Sequence, residues 1–140
     1  MRHLNLENNV QFLGVISLEE FKVHLSQSIA FVQHSVRASN GDMEGTPVSV
    51  MEAGLAGLPV VSTYHAGIPD VILHNETGLL CEEHEVDVMG KHMIQLLGNP
   101  LLAKQLGDKN RKRIKEHFSL EKHIGLVQKA IDEAKVMNNT

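Results

Sequence analysis

The sequence predicts an α/β domain built on a Rossmann-like, doubly wound parallel sheet. Short apolar runs alternate with amphipathic windows along the chain, glycine-containing loops follow several of the runs, and helix-start signals follow those loops. At 140 residues there is room for one substantial core, so residues 1–140 are read as one domain.

Val10-Gln11-Phe12-Leu13-Gly14 reads as the first strand. Ser17, with Glu20 three positions on, is a capping box that opens a helix carried by Phe21, Val23, His24 and Leu25. Ile29 to Gln33 is the second strand, followed by a polar loop from Ser35 to Gly45 whose length in a compact domain points to function. Thr46 as N-cap and Pro47 as first helical residue open a helix running to about Ala56, which Gly57 closes. Leu58 to Thr63 is the third strand. Gly67 to Ile72 opens a short helix, His74 to Gly78 is a turn, and Gly78 to Cys81 is the fourth strand. From about Glu85 the pattern is helical, with breaks near Asn99-Pro100 and His117-Phe118-Ser119. In such an order, ligands are expected at the carboxyl ends of the strands.

Composition narrows the classes. With 42% hydrophobic and 21% charged residues, the chain is a folded globular protein rather than a disordered one. No apolar stretch approaches the roughly 20 residues that cross a bilayer. The start lacks the apolar core of a secretory signal, so a cytoplasmic location is expected. The single cysteine, Cys81, lies in an apolar run and reads as a buried thiol. Nine histidines include no His-x3-His pair and no neighbouring Cys cluster, so no metal site is expected. Residues 101–140 carry nine Lys/Arg against five Asp/Glu, whereas residues 1–100 carry four against twelve. The run Arg111-Lys112-Arg113-Ile114-Lys115 reads as a solvated helix face; peripheral contact with an anionic membrane surface or a lipid-linked acceptor is the alternative. Nucleic acid is not an expected partner of an acidic chain poor in aromatics.

The chemistry concentrates at Glu44-Gly45-Thr46-Pro47-Val48-Ser49-Val50-Met51-Glu52. On a helix Val48, Met51, Glu52 and Leu55 share a face, so Glu52 interrupts the stripe expected to pack on the sheet. Such a carboxylate needs either a protein partner or a place at the rim of a ligand site. Gly45 lets the backbone approach a ligand, and the N–H groups of Val48 and Ser49 in the first turn form a seat for an anion such as phosphate. Neither Gly-x4-Gly-Lys-Ser/Thr nor Gly-x-Gly-x-x-Gly occurs, which disfavours a P-loop nucleotidase and a nicotinamide dehydrogenase. A second loop, Thr63 to Gly67, is expected to meet the first at one edge of the sheet.

Gly41-Asp42-Met43-Glu44-Gly45-Thr46-Pro47, Met51-Glu52-Ala53, Gly57-Leu58-Pro59-Val60-Val61-Ser62-Thr63 and Gly67-Ile68-Pro69-Asp70, in this order and spacing, resemble glycosyltransferase family 4. The resemblance runs from about Val10 to the C-terminus and is nearest to bacterial exopolysaccharide and colanic acid enzymes. It implies the C-terminal, donor-binding half of a retaining GT-B fold. It further implies a nucleoside-diphosphate sugar as donor substrate, no cofactor or metal, and transfer of a hexosyl group to a saccharide or lipid-linked acceptor. Glu44 and Glu52 match the family's Glu-x7-Glu pattern; Glu44 inherits the catalytic, sugar-contacting place and Glu52 the ribose contact. Gly45, Thr46, Pro47, Val48 and Ser49 inherit the sugar and diphosphate contacts.

Against that family the chain is expected to be truncated at its N-terminal edge. The acceptor-binding N-terminal domain and two basic phosphate ligands have no counterpart here, so the chain alone is expected to be inactive. His34 and Asp70 stand where the family commonly has Pro and Glu. His65, near the expected phosphate loop, reads as a surface or packing residue before a ligand, and Ser62 and Thr63 serve either as phosphate donors or as strand residues. The C-terminal helix, with Ile124, Val127, Ile131 and Ala134 at helical spacing, is expected in the full fold to cross back toward the missing domain, so its apolar face is left without a partner here, which favours self-association. The rival readings are a nucleotide-sugar epimerase and a non-catalytic nucleotide-binding or remnant domain.

Overall fold

The computed structural model describes residues 5–43 and 45–138. In chain order the elements are α1 (Leu18–Gln27), β1 (Phe31–Val32), α2 (Val48–Ala56), β2 (Val60–Thr63), α3 (Ile68–Val71), β3 (Gly78–Cys81), α4 (Val86–Gly98), α5 (Pro100–His117) and α6 (Leu120–Asn138). The strands form one parallel sheet in the order β1-β2-β3, with Phe31 opposite Val60 and Thr63 opposite Cys81.

β2 and β3 are buried along their whole length, as strands covered on both faces must be. Alternate residues serve different cores. Val60 and Leu80 pack with Leu25, Val50, Ala53, Ile68 and Ile114 on one side. Val61, Leu79 and Cys81 pack with Met89, Leu96, Ala103 and Leu106 on the other. Thus α1, α2 and α3 cover one face, α4 covers the opposite face, and α5 serves both. Cys81 is a buried free thiol whose pKa burial pushes up, helped by Glu85 and Glu82.

Two strand expectations need correction. Residues 10–14 form no strand; Phe12 is 82% exposed there, and among the described residues no neighbouring strand offers the run a ladder to join. The described sheet therefore has three strands where four were expected, and β1 is limited to Phe31 and Val32. The capping box at Ser17 and Glu20 does form, and the helix breaks fall at Asn99 and Phe118.

The packed stripe of α2 also differs. Its buried residues are Val50, Ala53 and Gly54, while Val48 and Leu55 are exposed. The reason is α5, which crosses so closely that a Cβ on Gly54 would meet Ile114 at 2.8 Å and Asn110 at 3.0 Å. Small residues mark this packed face, and bulk marks the free one. Asn110 is fully buried and donates from Nδ2 to the Leu58 carbonyl at 2.9 Å; its Oδ1 has no partner among the described residues. Gly57 ends α2 in the left-handed region at φ 86°, where a glycine costs least.

The basic run on α5 is amphipathic rather than a single cationic strip. Ile114 is buried, and Arg113 turns inward to donate to the Val71 and Asp70 carbonyls at 2.9 and 2.7 Å, capping the end of α3.

Two histidines occupy the side of β3 away from β2. The Leu80 N–H donates to His74 Nδ1 at 2.9 Å, and His92 Nε2 donates to the Leu80 carbonyl at 3.2 Å. Burial, and then the charge of His92, lowers the pKa of His74 below the ordinary imidazole value. The unfolded chain then binds this proton more readily than the folded one. The stability from neutral His74 is therefore complete above the ordinary value and is lost as pH falls toward and through the lowered one. Urea denaturation from about pH 7 to about pH 5 should show stability falling. In His74→Gln, which cannot titrate, that fall should be shallower; an identical slope would mean His74 is not the group responsible.

Candidate functional site

The carboxyl ends of the three strands are fastened to one another by side chains whose hydroxyls have internal acceptors. Ser62 Oγ donates to the Gln33 carbonyl at 2.7 Å, and Thr63 Oγ1 donates to the Ser35 carbonyl at 2.6 Å. Both hydroxyls are buried, so they hold the loop after β1 against β2 instead of presenting donors to a ligand. Ser49 Oγ, at the start of α2, donates to Gln33 Oε1 at 2.8 Å, and Gln33 Nε2 donates to Ser35 Oγ at 3.1 Å.

A second clip joins all three strand ends. His65 is buried, and its Nδ1 lies 2.6 Å from Glu83 Oε1, while Glu83 Oε2 accepts from the Arg37 backbone N–H at 2.9 Å. A carboxylate only accepts, so Nδ1 carries the proton. The Arg37 N–H first, and the His65 hydrogen bond second, hold the Glu83 carboxyl below its usual range. His65 is thus a packing residue and not a surface one.

The two loops expected to converge do so. The Gly67 N–H donates to the Gly45 carbonyl at 3.2 Å, and a Cβ on Gly67 would run into Thr46 Oγ1. Only glycine permits this approach without displacing Thr46. Around Gly45 itself nothing lies within 4 Å of where a Cβ would stand, so the backbone there faces open space.

Gly45, Thr46, Pro47, Val48 and Ser49 come together at the start of α2. Pro47, rather than Thr46, is the N-cap residue, and it supplies no side-chain cap. The first turn carries no carboxylate, and among the described residues the N–H groups of Val48 and Ser49 have no acceptor. Unmatched amides and the positive end of the helix dipole therefore face the junction of the two loops. Glu44 lies outside the described residues.

Glu52 does not interrupt the core stripe. It sits half-buried on the face of α2 toward α1, where it borders a cavity of about 350 Å³ with Leu18, Phe21, Lys22, Leu25 and Leu55. It takes part in none of the ion pairs among the described residues. Gln33, Arg37 and Glu83 were not singled out from the sequence. Gln33 ends a strand-like run, which is a weak signal, whereas Glu83 meets its partners across 18 and 46 residues, which no local pattern reports.

Comparison with known proteins gives this geometry a family. Residues 1–113 match the model of the glycosyl transferases group 1. The amylovoran biosynthesis glycosyltransferase AmsK of Erwinia amylovora is 41% identical over 92 residues, covering 66% of this chain and 23% of AmsK. A TarM variant from Staphylococcus aureus, solved in complex with fondaparinux, alpha-GlcNAc-glycerol and UDP, is 32% identical. It superposes with a TM-score of 0.74 over 89% of this chain and 25% of its own. Anabaena HepE, at 17% identity, shares the fold with a TM-score of 0.80, covering 94% of this chain and 34% of its own. The chain spans about a quarter to a third of the length of the curated relatives it matches, from 22% to 34%. With its parallel α/β layering, its paired loops at the strand ends and a family match over most of its length, the chain belongs to the group 1 glycosyl transferases and carries part of their GT-B fold.

Proposed function

We infer that this chain is the donor side of a retaining glycosyltransferase and takes a nucleoside-diphosphate sugar at the start of α2. The carrying observation is the uncapped first turn of α2, with the Val48 and Ser49 amides facing the junction that Gly45 and Gly67 hold together. In this reading the diphosphate sits on those amides, Glu44 contacts the sugar and Glu52 accepts from the ribose hydroxyls. A carboxylate suits vicinal hydroxyls because it accepts from both at once.

The chemistry proposed for the whole enzyme is hexosyl transfer, with retention, to a saccharide or lipid-linked acceptor. Preorganised amides stabilise the negative charge that develops on the departing diphosphate. No metal is required in this reading. In this reading turnover also draws on an acceptor-binding domain of the whole enzyme. A cytoplasmic site of action, at the inner face of a membrane where the acceptor is lipid-linked, goes with this proposal; no described helix is long and apolar enough to cross a membrane.

Calorimetric titration of the chain with UDP, GDP and ADP, each with and without EDTA, tests this. One nucleotide should bind saturably, with unchanged affinity in EDTA. UDP is favoured because the TarM variant was solved with it. Absence of binding by any of the three at millimolar concentration to a folded chain would overturn the proposal, and loss of binding in EDTA would overturn its metal-free form.

A further inference from the structure

The loop between β1 and α2 carries Glu44, yet little within this chain holds it. Residues 36–43 are all exposed, so burial does not fix them. Their internal order is a turn. The Ala38 N–H donates to the Asp42 carbonyl at 3.0 Å, the Gly41 N–H to the Ala38 carbonyl at 2.9 Å, and the Asp42 N–H to Asn40 Oδ1 at 3.0 Å. Those bonds make residues 38–42 one body but do not place it. The Thr63 bond to this loop stops at the Ser35 carbonyl. Among the described residues, the single hydrogen bond from residues 36–43 to another segment runs from the Arg37 N–H to Glu83 Oε2, at 2.9 Å.

Glu83 can serve as an anchor because of what stands behind it. Its other oxygen, Oε1, accepts from His65 Nδ1 at 2.6 Å; the His65 side chain is 1% exposed and that of Glu83 27%. A ring fixed by packing holds one rotamer of a carboxylate that would otherwise sample several in water, so the entropy of ordering Glu83 is already spent when Arg37 binds it. Bonds to an ionised acceptor are also the stronger kind. His65 belongs to the loop after β2, and that loop holds the far end of the Glu44 loop as well, where the Gly67 N–H donates to the Gly45 carbonyl at 3.2 Å. The β2 loop is thus tied to the chain on both sides of Glu44 in the sequence, through Glu83 at Arg37 and directly at Gly45. Because Ala38 follows Arg37 and pairs with Asp42, the first tie is carried across the turn to within two residues of Glu44.

We propose that the His65–Glu83 pair is a positioning device that holds the loop from Ser35 to Gly45 so that Glu44 meets the donor sugar, acting through the loop rather than by contact with the donor. This rests on the reading of Glu44 as the sugar contact. The diphosphate and ribose contacts of that reading lie beyond the second tie, on the first turn of α2 and at Glu52, so removing the first tie separates the two parts of the ligand. In unliganded Glu83→Ala, faster hydrogen exchange at the Arg37 amide and larger amplitudes in the backbone amide relaxation of residues 38–43 should show the loop released. Titration with UDP, UDP-glucose and UDP-N-acetylglucosamine should leave UDP affinity within about twofold, while the tighter of the two sugar nucleotides loses about tenfold, the size of one hydrogen bond to a charged group. A merely structural role would lower all three affinities together. Glu83→Gln should keep both the loop order and the sugar's contribution, since its carbonyl accepts from the Arg37 N–H and its amide donates to the other tautomer of His65. Unchanged loop order in Glu83→Ala, an equal fall for UDP and the sugar nucleotides, or a loss in Glu83→Gln as large as in Glu83→Ala would overturn the proposal. Failure of the unmodified chain to bind the nucleotides, or to gain affinity from the sugar, would instead overturn the reading of the donor site, while loop order still decides whether the pair positions the loop.

Discussion

Replacing Gly107 with alanine should cost about 3 kcal/mol or more of stability and lower the Tm by roughly 10 °C. Gly107 is a buried residue of α5, and its added Cβ would drive into the Gly57 carbonyl oxygen, with Pro59 Cδ a further 3.2 Å neighbour. That oxygen cannot yield easily. Gly57 is the left-handed cap of α2, its N–H is bonded to the Ala53 and Gly54 carbonyls, and Leu58 donates back to the Ala53 carbonyl at 3.0 Å. The clash therefore falls on the turn that delivers α2 to β2, with several bonds behind it. A control separates this from helix propensity: Gly90, in α4, has nothing within 4 Å of its would-be Cβ. Gly90→Ala should stabilise by about 0.5–1 kcal/mol, the ordinary gain for such a change in a helix. Thermal denaturation of the two variants should move in opposite directions; a shared direction would mean that the approach of α5 to Gly57 is not a tight constraint.

The second large effect is on nucleotide affinity. Glu52→Gln keeps the side chain's shape and removes its charge, so a carboxylate that accepts from two ribose hydroxyls becomes an amide with one accepting oxygen. Affinity for the preferred nucleotide should fall about tenfold, or about 1.4 kcal/mol, within the range for hydrogen bonds to charged groups. Stability should barely move, because Glu52 has no ion pair among the described residues to lose. If denaturation shifts and affinity does not, Glu52 is a structural residue of the α1–α2 groove, and the ribose contact lies elsewhere.

Much of this architecture was legible in the chain because its causes are local. The capping box at Ser17, the left-handed cap at Gly57, the strand Gly78–Cys81 and the breaks before Pro100 and after His117 each depend on neighbours within four residues or on a short apolar run. The stripe of α2 was misread because hydrophobicity predicts burial only where packing is by bulk. Here α5 lies so near that Ala53 and Gly54 form the contact, and Val48 and Leu55 are left outside. Residues 10–14 have the composition of a strand, yet a strand exists only with a ladder beside it, and none is present among the described residues.

The site was legible in a different way. The motif order named Gly45 to Ser49 and Glu52, and the structure brings residues 45–49 to the junction of the two loops, with Glu52 a turn further along α2 beside α1. The scaffold behind it was not visible in the sequence. Ser62 and Thr63 lie close to the strand ends and read either as phosphate donors or as strand residues, and His65 as a surface or packing residue before a ligand; all three turn inward. Their partners, Gln33, Ser35 and Glu83, are distant in sequence and were brought near only by the parallel register of β1, β2 and β3.

The central claim is that the first-turn amides of α2 receive the diphosphate. The measurement that tests it most directly is a titration of the isotopically labelled chain with UDP, followed residue by residue through backbone amide chemical shifts. The amides of Gly45, Val48 and Ser49, with Gly67 beside them, should shift together and saturate at one dissociation constant. Saturable shifts confined to other amides, with Val48 and Ser49 unmoved, would contradict the account even if the nucleotide binds.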